Sequence, residues 1–354
     1  MSSRQEFGPT RVAELLERTR EYIDIPSISG SEASFLRRLE SDFKAKGYRV
    51  TRQPVSDGRW NLLASPKGQI DLLFCTHVDV VPPHIGGRID TALRDGRTVP
   101  AVFGRGACDT KGGLVAMQEA ADELDRERAR VGFLLVVGEE VDHVGAIHAA
   151  RLKLAPLGIV LCEPTRGELV VGQKGLLKFR LDTEGEAAHS AFPELGKDAL
   201  GPMLDTLQRF RSATYETHPL LGDTTLNVGI LRSGVAANIT PPSATAEVLY
   251  RAATDPEELM SQVRSMLSPG VQLSEVSQNP PIELASAPGF NHIQIAFNTD
   301  AFYLQPLAPV YLMGPGDIAY AHGDNEHITG DELERGVGDF VRLGRFILDG
   351  SRAS

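Results

Sequence analysis

Four short, unbroken apolar runs constrain this chain most: IDLLFCTHVDV (70–80), VGFLLVVGEE (131–140), LGIVLCEP (157–164) and LAPVYLMGPGD (307–317). Runs of this length without polar alternation belong to strands buried on both faces. Helical stretches such as GGLVAMQEAADELD separate the first three. Strands alternating with helices predict an α/β domain, a mostly parallel sheet covered by helices. The fourth run joins that sheet and precedes a helix opening on a capping-box pattern, Thr329 and Glu332, with Leu333, Val337, Phe340, Leu343 and Ile347 on one face. Two amphipathic helices come first, TRVAELLERTREYIDI and SEASFLRRLESDFKAKG, with caps expected at Thr10 and Ser31 and a stop at Gly47.

Residues 169–283 have another character. Their runs read strand, helix, strand, strand, helix, strand, the order of a ferredoxin-like α+β unit. With 354 residues the chain exceeds what one core usually serves, so an insertion is expected: catalytic domain 1–168, inserted domain 169–283, catalytic domain resumed over 284–354.

The balance of 36 basic against 47 acidic residues, with no basic run, argues against a nucleic-acid partner. No stretch of some 18 apolar residues occurs and the first twenty residues contain no apolar signal core, so a cytoplasmic protein without a membrane partner is expected. Three cysteines, Cys75, Cys108 and Cys162, are too few for a disulfide framework and read as small buried apolar residues.

In an open parallel sheet, ligands collect beyond the carboxyl ends of the strands. Each apolar run here ends in a side chain able to bind a metal. His77 and Asp79 share one strand face, so the carboxylate can orient the imidazole or join it at one site. Glu139 and Glu140 end the second run and Glu163 the third; the glycine-rich GRGACDTKGG presents Asp109, and His322 follows the fourth. Two histidines and three carboxylates form a nitrogen and oxygen set suited to Zn²⁺ or a similar divalent ion. Two adjacent carboxylates can address one site only where strand gives way to loop. If Glu140 binds a metal, the cation offsets the repulsion and Glu139 remains free as a base.

The series THVDVVPP, GRGACDTKGG, VVGEE, CEPT, GQKG, AHSAFP, NITPP and AHGDNEH resembles the metal-dependent deacylases and exopeptidases that include acetylornithine deacetylase, succinyl-diaminopimelate desuccinylase, acetyl-lysine deacetylase and glutamate carboxypeptidase. The resemblance runs through nearly the whole chain. It implies an amide hydrolase with two divalent ions, Zn²⁺ first and Co²⁺ or Mn²⁺ as alternatives, and a homodimer formed through the inserted lid domain. By motif, His77 and Glu163 would hold one ion, Glu140 and His322 the other, and Asp109 would bridge them. Asp79 would orient His77, and Glu139 would move the proton. His189 would reach across the dimer to the oxyanion; Asn238, Arg251 and the Gly316 loop would contact substrate.

The substrate expected on this resemblance is a small N-acyl amino acid, such as N-acetylornithine, N-acetylcitrulline or N-acetyl-lysine. The alternatives are a metallo-carboxypeptidase or dipeptidase, a succinyl-diaminopimelate desuccinylase and, in another class, a metal-binding protein without turnover. A complete ligand set with Glu139 beside it disfavours the last.

Overall fold

The computed structural model describes residues 9–56, 58–94 and 96–350. The chain divides into two compact units. One comprises the chain up to Val171, Leu284–Ile293 and the residues from Thr299 on; the other comprises Gly172–Glu283 with Gln294–Asn298.

A nine-stranded sheet runs in the order Arg49–Ser56, Arg59–Ser65, Val131–Val136, Leu72–His77, Gly158–Leu161, Val310–Leu312, Leu169–Gln173 and Ile282–Glu283, with His292–Ile295 also paired to Leu169–Gln173. The middle four, which are the four apolar runs, are mutually parallel. The outer pairings are antiparallel, so the sheet is mixed at its margins. Val131–Val136 and Leu72–His77 have every residue buried, as both-faces burial requires. Because the four run parallel, their carboxyl ends share one edge, and the candidate ligands are gathered there.

Helices cover this sheet. Phe340 of the closing helix Gly330–Gly350 lies 5.8 Å from Phe74, and Phe43 of Ala33–Ala45 lies 4.7 Å from Phe133, between ring centroids. Leu333, Val337, Phe340, Leu343 and Ile347 are all buried, as the pattern predicts. The capping box forms: Glu332 Oε2 accepts from the Thr329 N–H at 2.8 Å and Thr329 Oγ1 accepts from the Glu332 N–H at 3.2 Å. Ser31 does not cap the second helix. Glu32 stands at that point without a side-chain cap bond, because its carboxylate accepts from the Gly30 N–H and pairs with Arg59. Gly47 stops that helix at φ +86°, a conformation that suits glycine. An antiparallel hairpin, Arg88–Arg94 with Arg97–Phe103, was not expected; its first strand is largely exposed and Pro100 interrupts the pattern of the second.

The second unit has a four-stranded antiparallel sheet in the order Thr225–Ser233, Ser243–Ala252, Gly175–Glu184, Val271–Asn279. With helices Leu200–Ser212 and Pro256–Ser265 this is the ferredoxin-like arrangement. Its core holds Phe179, Phe210, Tyr250 and Val263. Asp255 caps the second helix by accepting from the Glu257 N–H, with Pro256 at the first helical position. No helix among the described residues is long and apolar enough to cross a membrane. All three cysteines are buried and unpaired.

Candidate metal centre

At the carboxyl edge of the parallel strands the chain brings two donor groups together. His77, Asp109 and Glu163 form one, and Asp109, Glu140 and His322 the other; within each, the potential ligand atoms lie within 4.8 Å of one another. Asp109 belongs to both. Its Oδ1 is 3.0 Å from His77 Nε2 and its Oδ2 is 3.3 Å from His322 Nε2, so one carboxylate faces two sites with separate oxygens. His322 Nε2 is also 3.0 Å from Glu140 Oε2.

Local backbone explains how each side chain arrives. Gly106 turns the Asp109 loop at φ +89°, and a Cβ there would stand 3.0–3.2 Å from Val80 and Lys111 side-chain atoms. Gly138, at φ +81°, turns the chain two residues past the strand, directly before Glu139; a Cβ would approach Asp142 Oδ1 to 2.8 Å. His322 itself has φ +64°, uncommon for a residue with a side chain and often found at functional sites. The Thr110 hydroxyl donates to the His77 carbonyl at 3.1 Å, tying the Asp109 loop to the strand end.

Asp79 departs from its expected role. His77 Nδ1 bonds the main-chain carbonyl of Asp79 at 2.9 Å, whereas the Asp79 carboxylate stays 3.8 Å away. That carboxylate accepts instead from the N–H groups of Gly138 (2.9 Å), Glu139 (3.2 Å) and Glu140 (3.3 Å) and from the Ser29 hydroxyl (2.8 Å). Three main-chain donors draw it away from the imidazole. Its side chain therefore shapes the Glu139–Glu140 turn, and its backbone orients His77.

Glu139 belongs to neither donor group. His143 Nδ1 lies 3.9 Å from Glu139 Oε1 and 2.9 Å from Oδ1 of the buried Asp300. The His143–Asp300 contact joins residues 157 apart and so leaves no local signal in the sequence.

The electrostatics describe a cation site. Burial opposes a charged His77, but the hydrogen bond and attraction of Asp109, with Glu163 behind it, raise its pKa well above the usual imidazole value. Hydrogen bonds to Asp109 and Glu140 lift His322 to about 10. Burial would raise Asp109, yet hydrogen bonds from His322 and His77 hold it below the usual carboxylate range. Burial, reinforced by the Glu163 charge, pushes Glu139 well up. Burial also pushes Glu163 up, His77 opposing and Asp109 adding to it. Glu163 Oε1 is buried without a hydrogen-bond partner. An orphaned carboxylate oxygen among further carboxylates and two imidazoles fits divalent ions, which would supply the missing positive charge.

A titration follows from these directions. Imidazoles with raised pKa values hold protons at pH 7, and ligation requires them neutral. Uptake of divalent ions by the metal-free protein is expected to release protons, and affinity to rise with pH. Calorimetry in two buffers of different ionisation heat reads this directly; identical heats in both would contradict it.

In the second unit, the Ser190 N–H donates to the Asn238 carbonyl at 3.0 Å and His189 bridges to Ile239, so the AHSAFP and ANITPP loops meet. Arg251 lies in strand Ser243–Ala252, half-buried, and makes no ion pair among the described residues; burial pushes its pKa down. In the first unit, Gly316 has φ +88°, its carbonyl accepts from the Arg166 N–H at 2.7 Å, and a Cβ there would come within 2.7 Å of Cys108 Cβ.

Comparison with known proteins agrees with this architecture. The family model described as a peptidase dimerisation domain, M20_dimer, matches residues 171–271. A probable carboxypeptidase of Aspergillus clavatus is 34% identical over 380 residues, covering 96% of this chain and 84% of the relative. Among solved structures, a tripeptidase from Staphylococcus aureus superposes with a TM-score of 0.79 at 21% identity, over 96% of this chain and 99% of that one. A Bacillus subtilis protein described as a dinuclear metal binding peptidase from the M20 family superposes with a TM-score of 0.70 at 13% identity, over 97% and 99%. The chain belongs to the M20 peptidase family, and it is a hydrolase of that family.

Proposed function

We propose that this chain is a two-metal exopeptidase that hydrolyses the amide bond beside a free carboxylate, in the manner of a carboxypeptidase or dipeptidase. The observation that carries the reading is Asp109, whose two oxygens face two donor groups, with Glu139 next to both and committed to neither. The curated relative named above as a probable carboxypeptidase supports this substrate class over the N-acyl amino acid expected first from the motifs.

In this reading His77 and Glu163 hold one ion, Glu140 and His322 the other, and Asp109 both. Such a pair, Zn²⁺ by the mixed nitrogen and oxygen donors, supplies charge that polarises a carbonyl and acidifies water. Glu139 takes a proton from the attacking water as the new C–O bond forms, and returns it to the amine nitrogen as the C–N bond breaks. A largely buried carboxylate with a raised pKa is suited to both halves of that transfer. His189 and Asn238 would stabilise the tetrahedral oxyanion, His189 across a homodimer built on the inserted unit. Arg251 and the Gly316 loop would receive the substrate carboxylate; an arginine without an ion-pair partner among the described residues suits that task. Three unpaired cysteines suit a cytoplasmic setting.

A second reading, removal of an acetyl group from N-acetylornithine, N-acetylcitrulline or N-acetyl-lysine, is favoured by Glu163, since resembling aminopeptidases and dipeptidases tend to carry Asp there. A hydrolysis panel with Zn²⁺, Co²⁺ and Mn²⁺ separates the two. Blocked dipeptides with a free carboxylate are expected to be turned over best. Their C-terminal amides should lose about 10- to 100-fold in kcat/KM, the worth of one charge-assisted interaction. Preference for N-acetylornithine would install the second reading, and no turnover of any amide would remove both.

A further inference from the structure

Two buried charges outside the proposed ligand set lie between its loops. Arg105 precedes Asp109 by four residues and Glu326 follows His322 by four. Their side chains form an ion pair, Arg105 Nη1 to Glu326 Oε2 at 2.8 Å, with only 2% and 1% of each side chain exposed.

The partners cross. Arg105 donates not to its own loop but to the other, through Nη2 to the His322 carbonyl at 3.2 Å and through Nη1 to the Gly323 carbonyl at 3.1 Å. Glu326 Oε1 accepts from the N–H groups of Cys108 and Asp109, each at 3.3 Å. The Glu326 carbonyl accepts from the Gly104 N–H at 3.0 Å, closing the same junction through main chain. Each charged side chain thus holds the backbone of the loop that carries the opposite ligand.

We propose that Arg105 and Glu326 are positioning residues, a crossed brace that sets the separation of Asp109 and His322 and thereby the affinity of the ion held by Asp109, Glu140 and His322. The inference rests on the two-metal reading above. His322 needs such a brace more than the other ligands do. Its side chain is 51% exposed and its backbone stands at φ +64°, so packing around the imidazole does little to fix it. His77 and Glu163 sit at the ends of buried parallel strands and are held by the sheet. A buried ion pair is a weak source of stability, since desolvation consumes most of the attraction, and fixing geometry is its better-attested use.

The test is a metal titration of the full-length protein, by calorimetry with Zn²⁺ and by the visible absorption of Co²⁺, with circular dichroism to confirm folding. The double substitution Arg105→Met with Glu326→Leu removes both charges at similar volume, a replacement that buried ion pairs commonly tolerate. Wild type should take up two ions. The double variant should keep the first ion's affinity within about threefold and lose about 10- to 100-fold for the second, the scale seen when groups that orient metal ligands are removed, with the Co²⁺ spectrum of the second site changed. Arg105→Lys should recover part of that loss. Should the double variant not fold, Glu326→Gln carries the test and should weaken the second ion selectively by at least about threefold. Two ions bound with wild-type affinity, or equal losses at both sites, would overturn the brace. Fewer than two ions on wild type would instead overturn the two-metal reading itself.

Discussion

Glu139→Gln is expected to lower kcat by about 10²–10⁴-fold, the range for removing a general acid–base group, and to leave metal content unchanged. That loss corresponds to about 3–5 kcal/mol of activation free energy. Gln keeps the shape of Glu and leaves the Asp79 hydrogen bonds to this turn in place, since those come from main-chain N–H groups. What disappears is a largely buried carboxylate that can take and return a proton. Kinetics paired with elemental analysis of the purified variant decide the matter. Loss of an ion, or activity within a few fold of wild type, would refute the division of labour between Glu139 and Glu140.

Asp109→Asn should remove more. An amide oxygen can replace one of the two carboxylate oxygens that face His77 and His322, and its NH₂ group cannot replace the other. Both ions should weaken, and kcat/KM should fall at least about 10³-fold, or roughly 4 kcal/mol. The metal-free protein should also be less stable near neutral pH. A carboxylate whose folded pKa is depressed adds stability above its unfolded value of about 3.9, and that stability is lost as pH falls through the folded value. Thermal melts of metal-free wild type and variant should therefore differ at pH 7 and converge on acidification. Retention of two ions by Asp109→Asn would show that this carboxylate is not shared.

Legibility in the sequence followed the range of the interactions involved. The parallel strands were legible because both-faces burial writes a continuous apolar run, and strand ends then locate His77, Glu140 and Glu163 at one edge. Thr329 and Glu332 were legible because a capping box is local. The inserted unit was readable from its order of strands and helices, although the run near 169–184 divides, Leu169–Gln173 pairing in one sheet and Gly175–Glu184 in the other. The Asp79 carboxylate was placed on His77 because residues two apart on a strand share a face; its three bonds to the following loop depend on tertiary arrangement. The same holds for Asp300 on His143 and for Arg105 with Glu326, pairs that join residues 157 and 221 apart. No spacing rule anticipates them.

Five side chains are proposed to hold two ions, with Asp109 in common. Anomalous diffraction at the zinc edge, from crystals of the zinc-loaded protein, tests it most directly. Two peaks are predicted, one among His77, Asp109 and Glu163 and one among Asp109, Glu140 and His322, with Glu139 touching neither. A single peak, or peaks away from Asp109, would contradict the account.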